Sequence, residues 1–143
     1  MSYKKYIREL CDKLRTHFFH GEYAMLIKYE DEDEVGHQDG YSVGAKIDIS
    51  CRYLDFTITI YPLIKTYFKD KEYRKICELL CHEFCHLLTE PLYLIGVDAV
   101  TNPEQKHLED IRERQTQRIC NIIMHNLPKK FYEPLQKTIR KNI

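Results

Sequence analysis

Apolar residues along 3–19 fall at Tyr3, Tyr6, Ile7, Leu10, Leu14 and Phe18, the spacing of a helix with one buried stripe, and Gly21 ends the run. Residues 23–29 then suit a strand. Five consecutive acids at 30–34, with Gly36 and Gly40 beyond, favour a solvated loop, because like charges side by side repel. A calcium site or a docking patch for a basic partner is the alternative use of that run. Residues 41–51 and 54–61 are rich in β-branched and aromatic side chains. The second stretch alternates, with Leu54, Phe56, Ile58 and Ile60 on one face and Asp55, Thr57, Thr59 and Tyr61 on the other. Cys51, Arg52 and Tyr53 suit the turn of an antiparallel hairpin. Pro62 stops the second strand, since it cannot donate to a ladder, and a short helix over 63–68 follows.

The pattern predicts a longer helix over 71–89, with Asp70 as its cap and its end set by Pro91. Within it, residues 76–88 are apolar nearly all round, interrupted mainly by Glu78, His82, Glu83 and His86. A helix apolar on every side belongs in the middle of a domain. Residues 91–101 read as a connector. Asn102 and Pro103 then start a helix that continues to 126, with Leu108, Ile111, Gln115, Ile119 and Ile122 on its inner face. The basic tail from 129 carries a short helical pattern from Pro134. The elements predict an α+β fold, and the length of 143 residues predicts one domain over 1–143.

Composition narrows the partners. Lys plus Arg equals Asp plus Glu at 22 each, and no basic stripe precedes the last fifteen residues, so neither nucleic acid nor an anionic membrane surface is expected. No apolar run has the length of a bilayer span, and the first residues lack the unbroken apolar stretch of a signal peptide. Six cysteines without such a signal, and with no C-x-x-C, predict reduced thiols in a cytoplasmic protein. Cys77, Cys81 and Cys85 recur every four residues and read as small core side chains.

His82, Glu83, Phe84, Cys85 and His86 carry the chemistry. They spell H-E-x-x-H, and in a helix residues four apart lie about 40° apart around the axis, so both imidazoles leave one face and can grip a single ion. In the interior these polar groups need partners, and a metal satisfies all three. A catalytic zinc site takes a third protein ligand and leaves a position open. The helix after Asn102 is its natural source, with Glu109, Glu113 and His107 as candidates. Cys81, Cys85 or Cys120 could instead close the shell and leave an inert structural site.

The motif with Leu87, Leu88, Thr89, Glu90, Pro91, Leu92 and Tyr93, followed by Glu113, Arg114, Gln115, Thr116, Gln117, Arg118 and Ile119, resembles small predicted metallopeptidase-like proteins from bacteriophage genomes. The order of elements resembles the zincin metallopeptidases whose third ligand is glutamate. The resemblance covers roughly residues 54–127. It implies a minimal zincin-like domain: an N-terminal helix, a small mostly antiparallel sheet, the H-E-x-x-H helix and a following helix with the third ligand. It also implies one zinc ion per chain on His82, His86 and Glu113, with Glu83 as general base. Thr89 and Leu92 stand where the metzincin branch has glycine and histidine, which excludes that branch. The expected activity is peptide-bond hydrolysis on a dedicated protein target, in the host cytoplasm if the chain is phage-encoded. The alternative is a non-catalytic accessory or regulatory protein that keeps the zinc fold. Tyr93 and His125 are candidates to steady the developing oxyanion, and strand 54–61 is a candidate edge for an extended peptide.

Overall fold

A computed structural model describes residues 1–19, 24–35, 42–50, 53, 55–100 and 102–134. In chain order its elements are α1 (Tyr3–Phe19), β1 (Ala24–Tyr29), β2 (Glu34–Val35), β3 (Ser42–Val43), β4 (Ala45–Ser50), β5 (Asp55–Ile60), α2 (Pro62–Lys69), α3 (Tyr73–Ala99), α4 (Asn102–Asn126) and α5 (Lys129–Tyr132). The fold is α+β, with five helices and a small three-stranded mixed sheet among the described residues.

The apolar stripe of α1 behaves as its spacing requires. Tyr6, Ile7, Leu10, Cys11 and Leu14 are all buried. They meet the interior face of α3, where Ile76, Cys77, Leu80, Cys81, Phe84, Cys85 and Leu87 are buried in turn. From the sheet side, Phe56, Ile58 and Ile60 of β5 complete this core. Phe56 and Phe84 stand edge to face, with ring centroids 5.4 Å apart at 79°. The α3 helix packs against α1, α2, β4, α4 and α5. Its all-round apolar character follows from that central position.

Strand order in the sheet is β1-β5-β4, with β5 parallel to β1 and antiparallel to β4. The sheet is therefore mixed, where a mostly antiparallel one is expected. The β4–β5 hairpin accounts for the antiparallel half, running from Ala45 opposite Ile60 to Ser50 opposite Asp55. The intervening strands return the chain so that β5 lies alongside β1 in the same direction. The region 41–51 divides at Gly44, and β3 pairs with β2, which begins at Glu34, the last acid of the run. A Cβ on Gly44 would stand 2.7 Å from Leu79 Cδ1, so β4 approaches α3 closely there.

Several local expectations give way to packing. Asp70 ends α2, the chain turns through Lys71 at φ 57°, and Glu72 is the residue before α3. The closing turn of α2 uses the backbone N–H groups of 70, 71 and 72, which puts Glu72 rather than Asp70 at the position preceding α3. Pro91 does not end α3, which continues to Ala99 through the expected connector. Its lost N–H bond is offset because the added turns lie along α4: Tyr93 reaches Glu109, Glu90 reaches Arg112, and Gln105 donates to the carbonyl of Val97. The inner face of α4 is also rotated from the expected one. Thr116, Cys120 and Met124 are buried, while Gln115 and Ile122 are exposed. The helix turns the row about 80–160° round from Leu108 toward α3.

The five described cysteines, Cys11, Cys77, Cys81, Cys85 and Cys120, are buried free thiols, as core side chains should be. Cys51 and the helical pattern expected from Pro134 onward, beyond residue 134 itself, lie outside the described residues. Among the described residues, no helix is long and apolar enough to cross a membrane.

Candidate metal centre

Helix geometry brings His82 and His86 out of α3 on one side, their ring centroids 5.1 Å apart. The rotation of α4 brings Glu113 opposite them. Glu113 Oε2 lies 3.4 Å from His82 Nε2, and Oε1 lies 3.5 Å from His86 Nε2. Their donor atoms all fall within 4.8 Å of one another, and this group could hold a metal ion. Among the described residues, no sulfur belongs to it. His107 and Glu109 also stand outside: Glu109 accepts a hydrogen bond from the Tyr93 hydroxyl at 3.2 Å, and His107 is exposed. Of the three candidates for third ligand, Glu113 is the one brought to the imidazoles.

The tautomer of His82 follows from a relay on α4. Gln117 and Asn121 sit one and two turns after Glu113, on the same face. Gln117 Nε2 donates to Asn121 Oδ1 at 2.7 Å, which turns Gln117 Oε1 toward His82 Nδ1 at 2.9 Å. A carbonyl oxygen there accepts, so Nδ1 carries the hydrogen and Nε2 presents its lone pair to Glu113. A lone pair facing a carboxylate calls for a cation between them, either a proton or a metal ion.

The titration tendencies agree with that picture. Burial pushes His82 down, but the hydrogen bond that its protonated ring donates to Glu113 and the charges of Glu83 and Glu113 outweigh it and leave His82 raised. Burial holds His86 at about 4, against the pull of Glu113, so its ring is neutral and open to a metal at neutral pH. Glu113 is lowered, first by its hydrogen bond with His82. Glu83 is pushed up to about 7, mainly by burial. His82 and a backbone bond from Ile47 pull it down, while Glu113 and Asp48 push it up.

The group opens into a cleft of about 480 Å³. One wall is β4, from Ala45 to Ile49; the other carries His82, Glu83, His86, Glu90, Arg112 and Glu113. Because β5 is central in the sheet, strand 54–61 cannot serve as the peptide edge. Among the described residues, the edge strand beside the cleft is β4, which pairs only with β5. Tyr93 stacks beneath Arg112 and His125 is exposed, and neither lines the cleft. Below the group, the hydroxyls of Thr89 and Thr116 bond at 3.0 Å and tie α3 to α4.

Sequence reasoning missed Gln117, Arg112 and Glu90. The four-residue step from Glu113 to Gln117 to Asn121 is a readable signal for the first of these. Arg112 and Glu90 meet through the packing of α3 on α4, and Tyr93 comes under the guanidinium because α3 continues past Pro91. Gln117→Leu is expected to weaken metal binding by about 10–100-fold, through loss of the imidazole's support. Competition against a chromogenic chelator measures it, and an unchanged affinity would mean the relay does not orient His82.

Comparison with family models, with curated proteins and with solved structures gives no match for this chain.

Proposed function

We propose that this protein is a zinc-dependent peptidase of zincin type, with His82, His86 and Glu113 as ligands and Glu83 as general base. The observation that carries the reading is the grouping of two imidazole nitrogens and a carboxylate within 4.8 Å of one another on the wall of a cleft. A tetrahedral zinc ion with bonds of about 2.0–2.1 Å sets its ligand atoms roughly 3.3 Å apart. Each imidazole nitrogen lies 3.4–3.5 Å from a different Glu113 oxygen, and one donor atom from each residue falls within 4.8 Å of the others, so the three side chains must draw in slightly to reach that spacing. Two imidazoles and a glutamate are also the donor set of catalytic rather than structural zinc, with one position left for solvent or substrate.

A zinc ion held there supplies Lewis acidity, acidifying water and drawing electron density from a carbonyl. The chain's own groups do the rest. Glu83 lines the cleft beside the ligands, and its carboxylate near neutral pH can take a proton from attacking water and return it to the leaving amine. The exposed edge of β4 offers main-chain groups with which an extended peptide can pair. A cleft of about 480 Å³ in a chain of 143 residues favours an exposed loop or tail of a dedicated target over general digestion.

Purified protein should carry one zinc per chain, measured by elemental analysis. Glu113→Ala should lower zinc affinity by about 100-fold, since structural zinc sites gain roughly 10–16 kcal/mol over four ligands, or about 3 kcal/mol each. Affinity should also fall with acidity. The raised His82 gains its proton first as pH drops from the alkaline side, and that proton competes with the ion for Nε2. Unchanged zinc content in Glu113→Ala, or an affinity flat through pH 6, would count against the ligand set. A scaffold that binds zinc without catalysis is the second reading. It keeps the metal results and differs only in lacking hydrolysis.

A further inference from the structure

The cleft wall beside Glu113 holds a cation with most of its donors unspent. Arg112 sits directly before Glu113 on α4, its side chain 21% exposed. Its Nη1 donates to Glu90 Oε2 at 3.2 Å, and its guanidinium lies 4.1 Å from the centre of the Tyr93 ring. Its Nε is buried with no hydrogen-bond partner among the described residues. Its Nη2 lies 3.6 Å from Glu113 Oε1, too far for a firm hydrogen bond. Of five N–H donors, one is well used by a partner among the described residues.

That loose contact matters because the same Glu113 oxygen lies 3.5 Å from His86 Nε2. Once Glu113 turns to a metal, its charge is shared with the ion, and Nη2 keeps a positive charge and two donors at the cleft wall. Glu90 and Tyr93 hold the guanidinium in place, so it needs little reorganisation to accept a new partner. The cleft's other cation, Lys46, is an exposed residue on the opposite wall. Beside a divalent ion, a fixed planar fork of this kind matches a carboxylate better than any neutral group.

We propose that Arg112 receives a carboxylate of the bound ligand, so that the cleft selects peptides bearing an acid next to the group held at the metal. This rests on the zinc peptidase reading above. The acid can be a free C-terminus or an Asp or Glu side chain, and both present the same chemistry to the guanidinium.

The test uses zinc-loaded full-length protein and two small zinc-directed probes, succinic acid monohydroxamate and its terminal amide, compared by calorimetric titration. The acid should bind about tenfold tighter than the amide, the gain of a charge-assisted hydrogen bond. Arg112→Gln should bring the acid to the amide's level and leave the amide unchanged. Arg112→Lys, which keeps the charge without the fork, should retain part of the preference. Equal binding of acid and amide by the unaltered protein overturns the inference while leaving the metal reading in place, and it requires no variant to fold. Binding of neither probe overturns the metal reading and the inference with it. A pair of hydroxamate-capped dipeptides, one ending in free-carboxylate Ala and one in amidated Asp, identifies the source. Tighter binding of the first assigns the C-terminus, and tighter binding of the second assigns the side chain.

Discussion

Glu83→Gln is expected to lower peptide hydrolysis by about 10²–10⁴-fold while zinc content stays at one per chain, because amide and carboxylate match in shape but the amide cannot accept a proton. The same substitution should make the metal-free protein more stable above neutral pH. The folded state raises Glu83 from its ordinary 4.5 to about 7. A raised carboxyl favours folding while it is protonated, and this contribution is lost as pH climbs from about 4.5 through 7. Above that range the charged carboxylate sits in a walled cleft beside Glu113 and Asp48, and the neutral amide relieves the cost. The gain is on the order of 2 kcal/mol at pH 8, allowing for the part of Glu83 that solvent reaches. Chemical melts of metal-free wild type and variant at pH 5 and pH 8 should diverge far more at the higher pH. A variant that loses no activity removes Glu83 as the base. A variant that loses zinc assigns Glu83 a ligand's role instead.

Phe84→Ala is expected to destabilise the fold by about 3–5 kcal/mol, a fall in Tm of roughly 10 °C. Phe84 is fully buried between the two histidine-bearing turns of α3 and packs edge to face on Phe56. Truncation leaves a cavity between α3 and the sheet that neighbouring side chains cannot close without shifting the helix. The roll of α3 about its own axis is what aims His82 and His86 at Glu113, so the variant should also bind zinc more weakly. Denaturant unfolding gives the first quantity and chelator competition the second. A loss under 1 kcal/mol would show that the interior around α3 repacks freely, and the site would then need another source of rigidity.

Residues that act through neighbours in sequence were legible in the chain. His82, Glu83 and His86 share a face because of the helical repeat alone, and their apolar surroundings announce an interior helix. The α1 stripe and the alternation of β5 follow from the same kind of local periodicity. The third ligand was harder. Three candidates fitted the chain, and only resemblance favoured Glu113 before the packing of α4 brought it to the imidazoles.

The rest depended on long-range contacts. Proline's local rule ends α3 at 91, but the contacts of Glu90, Tyr93 and Val97 with α4 hold the helix to Ala99. That extension brings Tyr93 under the Arg112 guanidinium, beside the ion pair with Glu90. The choice of β4 rather than β5 as the cleft-side edge is likewise set by pairing with β1, which alternation within one strand cannot encode. Local spacing determined the helix carrying H-E-x-x-H and the direction of its imidazoles, because backbone geometry is the same wherever such a helix sits. Tertiary structure decided which acid meets those imidazoles, which strand borders the cleft and which cation lies in its wall, because each depends on how two elements roll against one another.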